Sequence, residues 1–208
     1  MNLHYDILDS KRKEILPLFQ TVTDWGYYLA GGTALALILG HRDSIDFDFF
    51  TPEPIDTVFL YKKCEELFSG HTLLRTQEES NTLGLLIDNE IQLSFMTYAY
   101  PLVTPLTTTE YFSLASLTDI GCMKISAITS RNVYKDYVDL YFILQQIPLK
   151  TLIDALRIKM PTLDPLLALK SLVYFDDIKE EGIMYKIDSI PLHVIKETLL
   201  NKVKEYKL

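Results

Sequence analysis

The hexapeptide Ile45-Asp46-Phe47-Asp48-Phe49-Phe50 restricts the fold more than any other segment, because its pattern suits one backbone conformation. On a strand, successive side chains point to opposite faces, so Asp46 and Asp48 emerge together while Phe47 and Phe49 point the other way. One face is a buried wall and the other is doubly anionic. Each carboxylate disfavours ionisation of its neighbour unless a cation sits between them. Magnesium, or manganese in its place, suits the pair. Magnesium prefers hard oxygen ligands and usually binds one or two carboxylates together with substrate phosphates.

Just upstream, Tyr27 to Ala30 reads as a short buried strand broken by Gly31-Gly32, with Thr33 as N-cap of a short helix over Ala34 to Leu39, closed by Gly40. A strand-to-helix turn offers free backbone N–H groups and the positive end of the helix dipole to phosphate. Gly31 and Gly32 let a ligand approach the main chain closely. With Thr33 they form a candidate phosphate cradle beside the candidate metal pair, as attack on a nucleoside triphosphate requires. Arg42, between the short helix and the acidic strand, is a candidate contact to phosphate or base, whereas His41 reads as structural.

Around this motif, a helix is predicted from Asp9 to about Trp25, kinked or divided at Pro17, and another from about Ile55 to Phe68. Thr72 to Thr76, Leu83 to Asp88 and Ile91 to Tyr98 are separated by the turn-prone pairs Asn81-Thr82 and Asn89-Glu90, which predicts an antiparallel meander. Thr107 to Thr109 reads as loop. Beyond Ser113 the apolar spacing is helical, first over Leu117 to Ile128 and then over Val133 to Leu144. Two to four further helices follow, with breaks near Pro148, Pro161 and Pro191. The expected fold is a two-lobed α+β or α/β protein: residues 1–112 form a mixed, mostly antiparallel sheet flanked by helices, and residues 113–208 form a helical lobe.

Composition narrows the partners. The apolar stretch from Tyr27 to Gly40 is well short of the roughly 20 residues a membrane span needs, so no membrane association is expected. Residues 1–13 lack the features of a secretory signal. Cys64 and Cys122 are the two cysteines, which fits free thiols in the reducing cytoplasm. A formal net charge of -8 over 208 residues argues against nonspecific nucleic-acid binding, and DNA is not an expected partner. Lys196, Lys202, Lys204 and Lys207 read as a solvated helix face.

Tyr28-Leu29-Ala30-Gly31-Gly32-Thr33-Ala34-Leu35-Ala36, followed by His41-Arg42-Asp43-Ser44-Ile45-Asp46-Phe47-Asp48-Phe49-Phe50, resembles the AbiEii/AbiGii toxin family within the polymerase beta-like nucleotidyltransferase superfamily. Lys124-Ile125-Ser126-Ala127-Ile128, Arg131 and Lys135-Asp136-Tyr137-Val138-Asp139-Leu140-Tyr141 are similar to that family's C-terminal Lys, Arg and Lys-Asp-X-X-Asp motifs. The resemblance implies a catalytic set of Asp46, Asp48, Lys124 and Asp136, with Asp46 and Asp48 on the metal. Lys124 is then a phosphate contact, as Arg131 is expected to be, and Asp136 is either a base on the acceptor or the group that orients Lys124 or Arg131. Read without the resemblance, Lys135 and Asp139 make an i,i+4 helix pair.

The implied activity is transfer of a nucleoside monophosphate from a triphosphate to an acceptor, either RNA (the 3′ end of transfer RNA by family likeness) or protein. The implied role is the toxin of a toxin–antitoxin or phage-defence pair, with an antitoxin as partner. One departure is visible. Related enzymes carry a third carboxylate on a later strand, and the outward positions of Ile91 to Met96 hold Gln92 and Ser94. Either the enzyme works with one main metal and borrows Asp136, or it is a nucleotide-binding module with little turnover that acts through a protein partner.

Overall fold

The computed structural model describes residues 2–180 and 182–206; Lys207 lies outside them. Pro17, which lacks an N–H and crowds the preceding turn, divides the first helical stretch. Helix α1 (Ser10–Ile15) passes through a 3-10 turn at Leu16–Leu18 into α2 (Phe19–Asp24). Strand β1 (Tyr28–Ala30) then runs directly into α3 (Gly31–Leu39), which Gly40 closes in the left-handed conformation. This helix starts before the expected cap at Thr33, because Gly31 takes a φ of 75° and turns the chain within one residue.

Strand β2 (Phe47–Thr51) follows, then α4 (Thr57–Leu67), whose cap Asp56 accepts from the Phe59 amide. The meander comprises β3 (Leu73–Glu79), β4 (Thr82–Ile87) and β5 (Ile91–Thr97). Its turns place Asn81, Asp88 and Asn89 at positive φ, which Asn and Asp tolerate. Residues 107–109, expected as loop, instead supply β6 (Thr107–Thr108), paired with β7 (Ser113–Leu114). Two-residue strands have no readable period; these exist because β7 finds a parallel partner in β1. Beyond them lie α5 (Leu117–Ser130), α6 (Tyr134–Ile143), α7 (Leu149–Lys159), α8 (Pro165–Ser171) and α9 (Leu192–Glu205).

The seven strands form one sheet in the order β3-β4-β5-β2-β1-β7-β6. Its pairings are antiparallel except β2 with β5 and β1 with β7, so the sheet is mixed and mostly antiparallel, as expected. Strand β7 lies beyond residue 112, and the Ala115 amide donates to the Leu29 carbonyl at 2.9 Å. The sheet is thus completed from the C-terminal side of the boundary read in the sequence. One apolar cluster runs from the sheet through α5, α6 and α7.

Strand β2 lies near the middle of this sheet, and Phe47 and Phe49 are fully buried, meeting Phe19 edge-on at 4.7 and 5.0 Å. A one-residue slip would expose both rings and sink both carboxylates into the core. Each ring alone contributes about 1.5–3 kcal/mol of burial, so the face carrying Asp46 and Asp48 is firmly specified. The approach to β2 is held as well. Buried Arg12 donates from Nε to the Ile45 carbonyl at 2.8 Å and from Nη2 to the Glu90 carbonyl at 3.0 Å. Among the described residues no helix is long and apolar enough to cross a membrane, and Cys64 and Cys122 are buried free thiols.

Candidate functional site

Asp48 sits opposite Ala30 of β1 on one side and Ser94 of β5 on the other. The first acid, Asp46, stands one residue before β2 begins and is exposed, whereas Asp48 is half-buried. Both line one cleft. Burial, then the charge of Asp46, push the Asp48 carboxyl up to about 6, against a hydrogen bond from Ser94 and the charge of Lys124. Ser94 therefore occupies the strand position beside Asp48, and it eases the existing charge where a third acid would add to it.

The glycines and Thr33 serve the acids directly. A Cβ at Gly31 would lie 2.8 Å from Asp48 Oδ2, and one at Gly32 would lie 2.8 Å from Arg42 Nη2 and 3.2 Å from Ser44 Oγ. The close approach that these residues permit is thus first of all that of the protein's own charged side chains. Buried Thr33 does not cap α3. Its hydroxyl donates to the main-chain carbonyl of Asp46 and lies 2.8 Å from Ser44 Oγ, which pins the loop that presents the first acid. Gly31→Ala is expected to destabilise the chain by about 1–2 kcal/mol through the strained φ. It would also displace Asp48 and reduce activity more than stability; a thermal melt set beside an activity assay would show the imbalance.

The opposite wall comes from α5 and α6. Lys124 pairs with Asp136 at 2.8 Å and with Asp139 at 2.6 Å. Arg131 Nε donates to the other Asp136 oxygen at 2.9 Å. Asp136 thus orients Lys124 and Arg131, and its oxygens are held by both. Asp139 is fully buried and does not pair with Lys135. It accepts from Arg42 Nε and Nη2 at 2.7 and 2.8 Å and lies 2.9 Å from His41 Nε2. Asp136 and Asp139 share an inward face of α6, whereas exposed Lys135 points into the cleft. Arg42 also lines the cleft, with Nη1 donating to the Asp43 carbonyl.

These charges balance under strong desolvation. Burial raises the Asp139 carboxyl, but Lys124, Arg42 and His41 outweigh it and hold the group well below the usual carboxylate range. Burial likewise lowers the Lys124 ammonium, and Asp139 and Asp136 more than compensate, holding it above its ordinary value. Lys124 is therefore a fixed cation that faces the two acids of the sheet.

The cleft has two compartments, of about 430 and 440 Å³, which share Gly32, Asp48, Lys124, Arg131 and Asp136. Ser94, Met96, Tyr98 and Met123 line only the second. The first is edged by Ile183 and Met184, a segment without any local signal in the sequence. It is tied beside the site by the Asp43 amide to the Met184 carbonyl at 2.8 Å and the Lys186 amide to the His41 carbonyl at 3.1 Å. Among the described residues no three His, Cys, Asp or Glu side chains converge as a metal cage. Asp46 and Asp48, with Asp48 disfavoured as a bare anion, could instead serve as an open two-carboxylate donor set for an ion that takes its remaining ligands from water and phosphate.

Comparison with known proteins agrees with this geometry. Residues 23–184 match the family described as nucleotidyl transferase AbiEii toxin, type IV toxin–antitoxin system. An uncharacterized protein of Aquifex aeolicus is 38% identical over 186 residues, 86% of this chain and 87% of that one. Among solved structures, the nucleotidyltransferase toxin MenT4 of Mycobacterium tuberculosis has a TM-score of 0.66 at 13% identity, covering 94% of this chain and 83% of that one. JHP933 of Helicobacter pylori has a TM-score of 0.54 at 15% identity, covering 95% of each chain.

Proposed function

The chain belongs to the AbiEii family of nucleotidyl transferase toxins, and from that premise we propose that its cleft moves a nucleoside monophosphate from a nucleoside triphosphate to an RNA acceptor, releasing pyrophosphate. The observation that carries this reading is the meeting of Asp46 and Asp48 with Lys124 across one cleft at the start of α3. Asp46 and Asp48 would hold magnesium or manganese. When bound, the ion draws in the triphosphate and stabilises negative charge on the oxygens of the attacked phosphorus.

The chain's own groups do the rest. Lys124 and Arg131, fixed by Asp136, receive the charge of the leaving pyrophosphate. The turn at Gly31 and Gly32, where α3 begins, would offer the first N–H groups of the helix to phosphate. Thr33 and Arg12 hold the Asp46 loop in register with them. Through these contacts the reacting phosphorus meets a rigid frame, as a reaction that depends on positioning requires. The 3′ end of transfer RNA is the acceptor that family likeness suggests, with a cognate antitoxin as protein partner and the cytoplasm as setting.

A second reading, a nucleotide-binding module without turnover, draws on one feature: Ser94 beside Asp48 in place of a third carboxylate. The two part in one assay. Purified chain, magnesium, each α-labelled triphosphate and a pool of transfer RNA should give labelled RNA and an equal amount of pyrophosphate, neither of which appears with Asp46→Ala. Triphosphate binding by calorimetry without pyrophosphate release over hours would leave the binding module standing and the transferase reading refuted.

A further inference from the structure

The two compartments of the cleft differ in chemistry. The first adds Arg42 and Lys135 and the acids Asp43 and Asp46 to the shared Lys124 and Arg131, whereas the second adds neutral side chains, among them Ser94, Ser126 and Ser130. An in-line displacement puts the leaving group and the attacking group on opposite sides of the phosphorus. The leaving pyrophosphate, the more anionic of the two, fits the side that adds Arg42, Lys135 and the metal-ligand candidate Asp46.

That first compartment has a feature phosphate does not explain. Ile45, Val133, Ile183 and Met184 line it together, and aliphatic side chains give a polyanion nothing. Ile45 is 47% exposed and Met184 73% exposed, so neither is there to fill the core. Their positions are nonetheless set by backbone bonds. The Ile45 carbonyl is held by Arg12, the Met184 carbonyl accepts from the Asp43 amide, and Arg42 and Tyr185 form a bridge between them. Lys186 reinforces the join by pairing with Asp43 at 3.0 Å. Water-exposed apolar side chains fixed at the rim of a charged cleft, on two segments far apart in sequence, have the character of a slot for a flat and largely apolar ring.

We propose that Ile45, Val133 and the strap residues Ile183 and Met184 together form the slot for the nucleobase of the triphosphate substrate. The slot thereby sets base affinity apart from triphosphate affinity. The inference rests on the proposed function, since it takes a nucleoside triphosphate as the ligand. Thioether and branched aliphatic groups hold a base by its faces, so the strap contributes binding energy common to ground state and transition state. Loss of that contribution should appear in KM with kcat nearly unchanged.

The test compares two probes by calorimetry with magnesium present: each of the four nucleoside triphosphates, and inorganic tripolyphosphate, which has the charges and no base. The variant Ile45→Ala with Met184→Ala removes two exposed side chains and leaves the core intact. It should bind the nucleoside triphosphates roughly tenfold more weakly, on the order of 1.4 kcal/mol, and bind tripolyphosphate as the unaltered chain does. Equal affinity of variant and unaltered chain for nucleoside triphosphates would overturn the slot and leave the proposed function intact. Weakening of both probes alike would also overturn it, by showing that these residues act on the phosphate site. Failure of the unaltered chain to bind either probe would remove the proposed function and the slot with it.

Discussion

Asp139→Asn should lower the melting temperature at pH 7 by about 10 °C, because it removes the one anion against which Lys124, Arg42 and His41 all lie. Asparagine keeps the shape and much of the hydrogen bonding but leaves two buried cations short of a counter-charge. Breaking a buried pair from one side costs about 3–5 kcal/mol, and a chain of this size shifts by about 2–4 °C per kcal/mol. The pH dependence has a definite sign. The folded-state pKa of Asp139 lies below the unfolded value, so its contribution is fully present above about pH 4 and is lost as pH falls through the folded value. The gap between variant and unaltered chain should therefore persist across neutral pH and narrow only in strong acid. A melt of Asp139→Asn within 2 °C of the unaltered chain at pH 7 would show that the charge cluster does not hold α6 to the loop at residues 41–43.

Asp48→Asn should act in opposite directions on activity and stability. Transfer should fall roughly 10³-fold, the scale of losing several kcal/mol of charge stabilisation at the phosphorus. Without divalent metal, however, the variant should melt above the unaltered chain. Burial and the charge of Asp46 raise the folded pKa of Asp48 to about 6, so the native state binds this proton more tightly than the unfolded chain does. The stability of the unaltered metal-free chain then declines as pH rises from about 4 through 6 and is flat above, and a neutral amide abolishes that decline. Adding magnesium should stabilise the unaltered chain at pH 7.5, do so less below pH 6, and leave Asp48→Asn nearly unmoved. Melting curves across pH, with and without the metal, would check both effects. An asparagine variant that is less stable than the unaltered chain at every pH would mean that Asp48 is not a strained anion.

The floor of the site was legible because its information is local. Alternation in β2 gave the shared face of Asp46 and Asp48, and the Gly-Gly break gave the strand-to-helix turn. The wall was legible in part. Three residues apart on a helix, Asp136 and Asp139 share a face, yet the same spacing rules equally allow Asp139 to pair with Lys135. What decides between them is desolvation by α3 and the residue 41–42 loop, a contact nearly a hundred positions away in sequence. Thr33 suits a helix cap by its type, whereas the positive φ of Gly31 starts the helix earlier and frees the hydroxyl for the Asp46 carbonyl. The strap at Ile183 and Met184 had no periodicity to read, since backbone bonds to residues 41–43 hold it and no secondary structure of its own does. The short pair β6 and β7 escaped notice for a similar reason.

One consequence concerns the order in which the protein is made. Asp46 and Asp48 are available once about fifty residues exist, but their facing cation Lys124 is locked by Asp136 and Asp139 on α6, which ends at Ile143. At 5–20 residues per second, that delay is on the order of 10 s. Until then the acid pair has no opposing lysine held in place, so the wall of the cleft is completed only well after its floor has been made.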